Sequence, residues 1–232
     1  MRAVVLHSYG GPEVLSIEEV ADPVPGPDEV LVQVAATALN RADLLQRMGL
    51  YPDPRKAQPE IPGLEFAGTV AAVGSRVTMW QVGDRVMGIT AGGAYAERIA
   101  VHERQLLAVP ATMPLTEAAA IPEVFLTAWD ALVLQGGLTS GRWALVHAGA
   151  SGVGTASIQI AKAVGARIAV TCSPGKAALC RSLGADLVFD RSPSDWLAAA
   201  KAAVPAGFDT SLDVVGGEEI DRNLQAVAQR GS

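Results

Sequence analysis

The sequence predicts an α/β protein in two parts, a β-rich first half and a doubly wound parallel second half that stops short of the usual strand number. Three observations carry this. Residues up to about 117 read as short apolar segments separated by Pro and Gly, and residues beyond them alternate between strand and helix patterns. A glycine-rich turn, Gly149-Ala150-Ser151-Gly152-Val153-Gly154, joins the first strand of that alternation to its helix. The change of style sets one domain at 1–117 and a second at 118–232.

In the first half, strands are predicted at 3–6, 16–20, 30–39, 68–73, 85–87 and 95–101. Val30, Val32 and Val34 alternate with Leu31 and Gln33, the period of a strand with one more deeply buried face. The run Asp22-Pro23-Val24-Pro25-Gly26-Pro27 and the segment 51–62 read as connections, and only 40–48 reads as helix. An Ala-rich helical bridge at 115–134, interrupted by Pro122, leads into the second half. There, strands are expected at 143–147, 167–171, 187–190 and 208–215. Helices are expected at 155–164, from Ser173-Pro174 to Leu183-Gly184, at 194–204 and at 217–229. A doubly wound dinucleotide fold has six strands in the order 3-2-1-4-5-6. Four are counted here, so the expectation is a C-terminally truncated sheet with an unpaired fourth-strand edge.

Composition narrows the function. Half of the 232 residues are hydrophobic and 18% are charged, ordinary for a globular chain able to bury a core. A formal charge of −6 argues against nucleic acid and against an anionic membrane surface as partners. No charged residue falls between Arg142 and Lys162, but Gly149, Gly152, Gly154, His147 and Gln159 make that stretch too polar to span lipid. The N-terminus carries no targeting pattern. Cys172 and Cys180, eight apart, match neither a redox nor a zinc spacing and suit a reducing, cytoplasmic compartment.

The glycine turn has a specific chemistry where it stands. After a strand and before a helix, Gly149, Ser151 and Gly154 fill the three small-residue positions of a dinucleotide fingerprint, with Ser151 replacing the middle glycine. Gly152 and Val153 complete the opening of the helix, whose free N–H groups and dipole favour a pyrophosphate. The next strand ends Thr171-Cys172-Ser173-Pro174-Gly175-Lys176, without the carboxylate that accepts from an NAD ribose. Ser173 and Lys176 favour a 2′-phosphate instead, hence NADPH, and Arg191 stands ready to add a second positive charge. Lys176 and Arg191 also have a plain reading as solvated surface cations.

Further motifs run the length of the chain. They include Gly10-Gly11-Pro12-Glu13-Val14-Leu15, Leu39-Asn40-Arg41-Ala42-Asp43-Leu44, Gly49-Leu50-Tyr51-Pro52, Ile61-Pro62-Gly63-Leu64-Glu65-Phe66-Ala67-Gly68, Val82-Gly83-Asp84-Arg85-Val86, Ala118-Ala119-Ala120-Ile121-Pro122 and Leu126-Thr127-Ala128-Trp129. With these the sequence resembles the zinc-independent quinone oxidoreductase (ζ-crystallin-like) branch of the medium-chain dehydrogenase/reductase superfamily. The resemblance implies a GroES-like catalytic domain followed by a Rossmann domain. It also implies that Asn40, Asp43 and Tyr51 border nicotinamide and substrate, and that Thr127 contacts nicotinamide. Asn40 and Thr127 would position, Tyr51 would line the substrate, and Asp43 would lend a supporting hydrogen bond.

Zinc-dependent relatives place a cysteine at the position of Asn40 and a histidine at that of Leu64, so no zinc is expected. Without that Lewis acid a quinone is a forgiving hydride acceptor, because the product anion is delocalised. An activated-alkene (enone) reductase is the alternative within the fold, and an NADPH-holding module without turnover is the alternative of another class. Relatives pair subunits through the last strand of their sheet, which makes the family's homodimer doubtful for this chain. Plain structural readings remain open beside these: Asn40 as a helix cap, Asp43 as a first-turn acid, Tyr51 as a loop anchor, His147 as a structural histidine, and Glu65 without a catalytic role.

Overall fold

A computed structural model describes residues 1–54, 59–191, 196–217 and 219–232. Two compact units, Met1–Glu123 and Val124–Ser232, are described in turn.

The first unit opens with a hairpin of β1 (Arg2–Leu6) and β2 (Leu15–Glu19). There follow β3 (Glu29–Thr37), α1 (Arg41–Arg47), β4 (Glu65–Val73), β5 (Arg85–Ile89), β6 (Arg98–His102), β7 (Leu106–Ala108) and α2 (Leu115–Ala118). The five later strands form one antiparallel sheet in the order β6-β3-β4-β5-β7. The alternation in β3 is realised: Val30 and Val32 are fully buried beside Phe66, Val70 and Val86, while Gln33 faces solvent. β4 starts three residues before its expected beginning, and β6 starts three residues after its own. β7 escaped the sequence reading because three residues are too few to show a period. The helical bridge is broken into α2, α3 (Pro122–Trp129) and a π-helical turn, Asp130–Gln135. Pro122, which has no N–H to give a preceding turn, becomes the first residue of α3.

The second unit contains β8 (Trp143–Val146), α4 (Gly152–Ala163), β9 (Arg167–Cys172), α5 (Ala177–Ser182), β10 (Leu187–Asp190), α6 (Trp196–Ala203), β11 (Thr210–Leu212) and α7 (Glu219–Ala226). Its sheet is parallel throughout, in the order β10-β9-β8-β11, which is the 3-2-1-4 arrangement of a doubly wound fold. Successive strand residues feed opposite cores. Ala144, Val146, Ile168 and Val170 pack on Ile158 of α4 and Cys180 of α5. Leu145 and Ala169 pack on Trp196 and Ala200 of α6 and Ala226 of α7. Burial on both faces explains why these strands read as continuous apolar runs. Cys172 and Cys180 are buried free thiols, and burial, with Cys172 beside it, pushes the Cys180 thiol up to about 11.

Several expectations are corrected here. The fourth strand, read as 208–215, contracts to Thr210–Leu212. Phe208 makes only an isolated bridge to Val227, and the chain turns away at Asp213, whose carboxylate accepts from the N–H groups of Val215 (2.8 Å) and Gly216 (2.9 Å). The outer edge of β11 is not bare: the Ser211 N–H donates to Ser232 O (2.8 Å), and the Ser232 N–H donates to Asp209 O (3.0 Å). α4 begins at Gly152 rather than Thr155, because Ser151 caps it. The helix expected from Pro174 starts as a 3-10 turn, Pro174–Lys176, before α5. α7 is shorter than 217–229, and residues 194–195 of the helix expected at 194–204 lie outside the described residues. Among the described residues, no helix is long and apolar enough to cross a membrane.

Candidate active site

In the first unit the polar groups converge where α1 leaves the sheet. Asn40 is the residue before α1, in an extended conformation, and its backbone N–H donates to the Asp43 carboxylate at 2.6 Å. The Tyr95 hydroxyl donates to the same carboxylate at 2.8 Å. The Asn40 side-chain amide donates in the other direction, to Glu65 Oε1 at 2.7 Å. Glu65 opens β4, its Oε2 accepts from the Glu123 N–H (2.9 Å), and its carbonyl accepts from the Thr37 hydroxyl (2.6 Å).

Asp43 and Glu65 are only 5% and 1% exposed, so their charge leans almost entirely on these donors. Burial pushes the Asp43 carboxyl above its ordinary range against the opposing N–H groups of Asn40 and Leu64 and the Tyr95 hydroxyl. Burial raises Glu65 too, opposed by Glu123 N–H and Asn40 and reinforced by the charge of Asp43. For Glu123, burial and then repulsion from Glu65 and Asp43 all act upward. Burial and the neighbouring Asp43 raise the Tyr95 hydroxyl, which keeps it a donor. Like charges gathered this closely favour retention of a proton.

In the second unit a cleft of about 230 Å³ opens around the carboxyl ends of the parallel strands. The glycine turn borders it through Ala148, Ala150 and Ser151, and in that turn space rather than side chains decides the sequence. A Cβ on Gly149 would lie 2.4 Å from Val170 Cβ, and one on Gly154 would lie 2.4 Å from the Ala148 carbonyl oxygen. Ala148 itself takes a left-handed conformation, φ 54°. The Ser151 hydroxyl accepts from the Gly154 N–H at 3.1 Å and caps α4. The first-turn amides of α4, Gly152 and Val153 among them, have no intrahelical acceptor by geometry.

One wall carries Ser173, Lys176 and Arg191, and Arg191 Nε donates to Ser173 Oγ at 3.1 Å. Trp196 and Glu219 also line the cleft, and the Glu219 carboxylate accepts from the Trp196 indole at 3.0 Å. His147 is 2% exposed and held at both nitrogens, by Thr171 Oγ1 (2.9 Å) and Asn223 Oδ1 (2.6 Å). The Asn223 amide nitrogen donates to Asp213 (3.0 Å), so its oxygen must face the imidazole, and His147 Nε2 carries the hydrogen. Burial raises Asp213, but the N–H groups of Gly216 and Val215, with His147 and Asn223, hold it below the usual carboxylate range.

The structure thus joins Asn40 to Asp43, and brings Ser151, Ser173, Lys176 and Arg191 to one cleft beside the Gly149–Gly154 turn. Thr127 stands half-buried in α3. Tyr51 lies in the loop after α1, 48% exposed, with no hydrogen bond to Asn40 or Asp43. Sequence reasoning missed Tyr95, Glu123, Trp196 and Asn223, and it left Glu65 without a partner. No spacing rule links Asn40 to a carboxylate 25 residues away or Asp43 to a hydroxyl 52 away.

Residues 26–111 match the family model of the alcohol dehydrogenase GroES-like domain, and residues 152–232 match that of the zinc-binding dehydrogenases. The chain is 33% identical to the synaptic vesicle membrane protein VAT-1 homologue of Rattus norvegicus, covering all of this chain and 58% of the relative. It is 36% identical to the 2-methylene-furan-3-one reductase of Solanum lycopersicum, covering all of this chain and 61% of that enzyme. The chain therefore spans about three fifths of the length of these two relatives. Among solved structures it is similar to the Escherichia coli quinone oxidoreductase complexed with NADPH, with a TM-score of 0.90 and 32% identity, covering all of this chain and 71% of that one. Two domain matches in family order and a solved relative of the same fold settle its kinship: the chain belongs to the medium-chain dehydrogenase/reductase superfamily, in its quinone oxidoreductase-like branch.

Proposed function

We propose that this chain is an NADPH-dependent oxidoreductase that passes hydride to a small quinone-type acceptor without zinc, in a cytoplasmic setting. In this reading residues 1–117 form the catalytic domain and 118–232 the NADPH-binding domain. The observation that carries it is the cleft at the strand ends, lined by Ala150 and Ser151 of the glycine turn together with Ser173, Lys176 and Arg191. The residues present fit the cofactor. Gly149 and Gly154 keep the turn close to strand and helix, and a pyrophosphate meets the first-turn amides of α4. The β9 end brings hydroxyl and ammonium groups where an NAD site needs a carboxylate, which suits a 2′-phosphate. The Escherichia coli neighbour was solved with NADPH, which supports the same choice.

NADPH, when bound, supplies the hydride. The chain's own residues orient and enclose. Asn40 and Thr127 position the nicotinamide, Tyr51 lines the acceptor side, and Asp43 supports Asn40 through its backbone N–H. Zinc has no place in this reading because the positions that would ligate it hold an amide bonded to Glu65 and the buried apolar Leu64. A quinone needs no Lewis acid, since its reduced anion is delocalised. The likeness to a reductase of 2-methylene-furan-3-one favours a second reading, reduction of an activated alkene.

Steady-state oxidation of NADPH against 1,4-quinones and conjugated enones tests both, alongside direct titration with NADPH and NADH. The expected result is tighter NADPH binding and faster turnover with quinones. Turnover confined to enones selects the second reading. Tight NADPH binding with no turnover on either acceptor leaves a binding module and defeats both.

A further inference from the structure

We infer that Glu65 is a positioning residue: it fixes which edge of the Asn40 amide faces a ligand, leaving the carbonyl oxygen to receive an N–H or O–H donor. This rests on the proposal that Asn40 borders the bound nicotinamide and acceptor. A primary amide fits its space in two orientations related by a half-turn, with oxygen and nitrogen exchanged. Both Glu65 oxygens accept an N–H, Oε2 from Glu123 and Oε1 from the Asn40 nitrogen at 2.7 Å, so the carboxyl group admits one of them. The exchanged orientation would set oxygen against oxygen inside a site where Glu65 is 1% exposed.

Glu65 is itself fixed at both ends, by the Glu123 N–H on Oε2 (2.9 Å) and the Thr37 hydroxyl on its carbonyl (2.6 Å). Asn40 is held from behind by Asp43 in a reciprocal capping box: its backbone N–H donates to the Asp43 carboxylate at 2.6 Å, and its side-chain oxygen faces the Asp43 N–H with one lone pair, leaving the other for a ligand. The amide is thus oriented before any ligand arrives, which lowers the ordering cost of binding. The matching ligand group is a hydroxyl or an amide N–H. A ribose hydroxyl, a carboxamide and the hydroxyl of a reduced quinone all qualify, and an ether or a bare carbonyl does not.

Two measurements on the whole chain test this. The first is the side-chain amide NMR signal of Asn40, assigned by its loss in Asn40→Asp. In the wild type one of its two protons should lie downfield of the other asparagine side chains, because it is bonded to a buried carboxylate. Glu65→Gln should bring it back among them. The second is kinetic: Glu65→Gln should weaken NADPH binding or kcat/KM by about tenfold, the cost of one charge-assisted hydrogen bond. The double variant Asn40→Asp/Glu65→Gln reverses donor and acceptor while keeping an oxygen edge toward the ligand, and it should recover part of that loss.

An Asn40 signal that is ordinary in the wild type, or unmoved by Glu65→Gln, overturns the inference whether or not quinones are reduced. Should Glu65→Gln fail to fold, the wild-type signal alone decides. If the wild type turns over no acceptor, the functional reading fails, and the NMR result still decides what Glu65 does to Asn40.

Discussion

Around Asn40, polar side chains hold one another. Asp43, Glu65, Tyr95 and Thr37 come from separate elements, and each satisfies a neighbour's hydrogen bond. Around the 149–154 turn the materials are reversed. There, absent side chains let backbone approach backbone, and hydrogen bonding falls to the first amides of a helix. The difference teaches where each region is vulnerable. A backbone site is broken by adding atoms, and a side-chain cluster by changing a charge.

The largest effect is expected at the turn. Gly154→Ala sets a methyl 2.4 Å from the Ala148 carbonyl oxygen, against backbone that has no flexible end to yield. Overpacking of this kind costs about 1–3 kcal/mol. Thermal unfolding should register that loss, and nucleotide titration should show binding abolished. A Gly154→Ala protein that binds NADPH normally would mean the turn tolerates bulk, and the comparison would break. A smaller and more selective effect is expected on the cleft wall. Lys176→Ala should weaken NADPH by about tenfold while leaving NADH unchanged, because it removes one cation from a phosphate. Equal weakening of both nucleotides would place Lys176 away from the 2′ position.

The smallest effect belongs to the carboxyl cluster and depends on pH. Burial and the charges of Glu65 and Asp43 raise the Glu123 carboxyl, so the folded state keeps its proton to higher pH than the unfolded chain does. Its stabilising contribution is therefore present in mild acid, below the ordinary carboxylate range, and is lost as pH rises through the raised value. Glu123→Gln keeps the neutral form at every pH. Its Tm should match the wild type in mild acid and exceed it by about 2–4 °C in mild alkali. A Tm difference that does not change with pH would show that Glu123 carries no excess proton.

The same contrast explains what could be read from the sequence. The turn was legible because strand, glycines and helix are contiguous, and the parallel order of β8 to β11 followed from their spacing. Val30 and Val32 declared a buried face through their period alone. The cluster was legible only in part. Asn40 and Asp43 share one motif, but Glu65, Tyr95 and Glu123 reach it through the fold, and nothing in a linear pattern announces that meeting. The end of the fourth strand was misjudged for a related reason. Val214 and Val215 have strand propensity, but the Asp213 carboxylate gathers the following amides into a turn. Cap chemistry likewise moved the start of α4, since Gly152 and Gly154 are poor helix formers in general but acceptable in a first turn whose cap is Ser151.

Trp196 has a consequence of another kind. Its indole lines the cleft, bonds to Glu219 and meets the His147 ring edge-on, with centroids 4.9 Å apart. Trp143, by contrast, lies edge-on to Phe208 beneath the Arg167 guanidinium. The cleft therefore contains its own fluorophore. Indole emission overlaps the absorption of a reduced nicotinamide, so if the proposed cofactor site is the one filled, titration with NADPH should dim Trp196 without a label or an acceptor. Replacing Trp80, Trp129 and Trp143 with phenylalanine removes the three competing emitters and leaves Trp196 as the reporter.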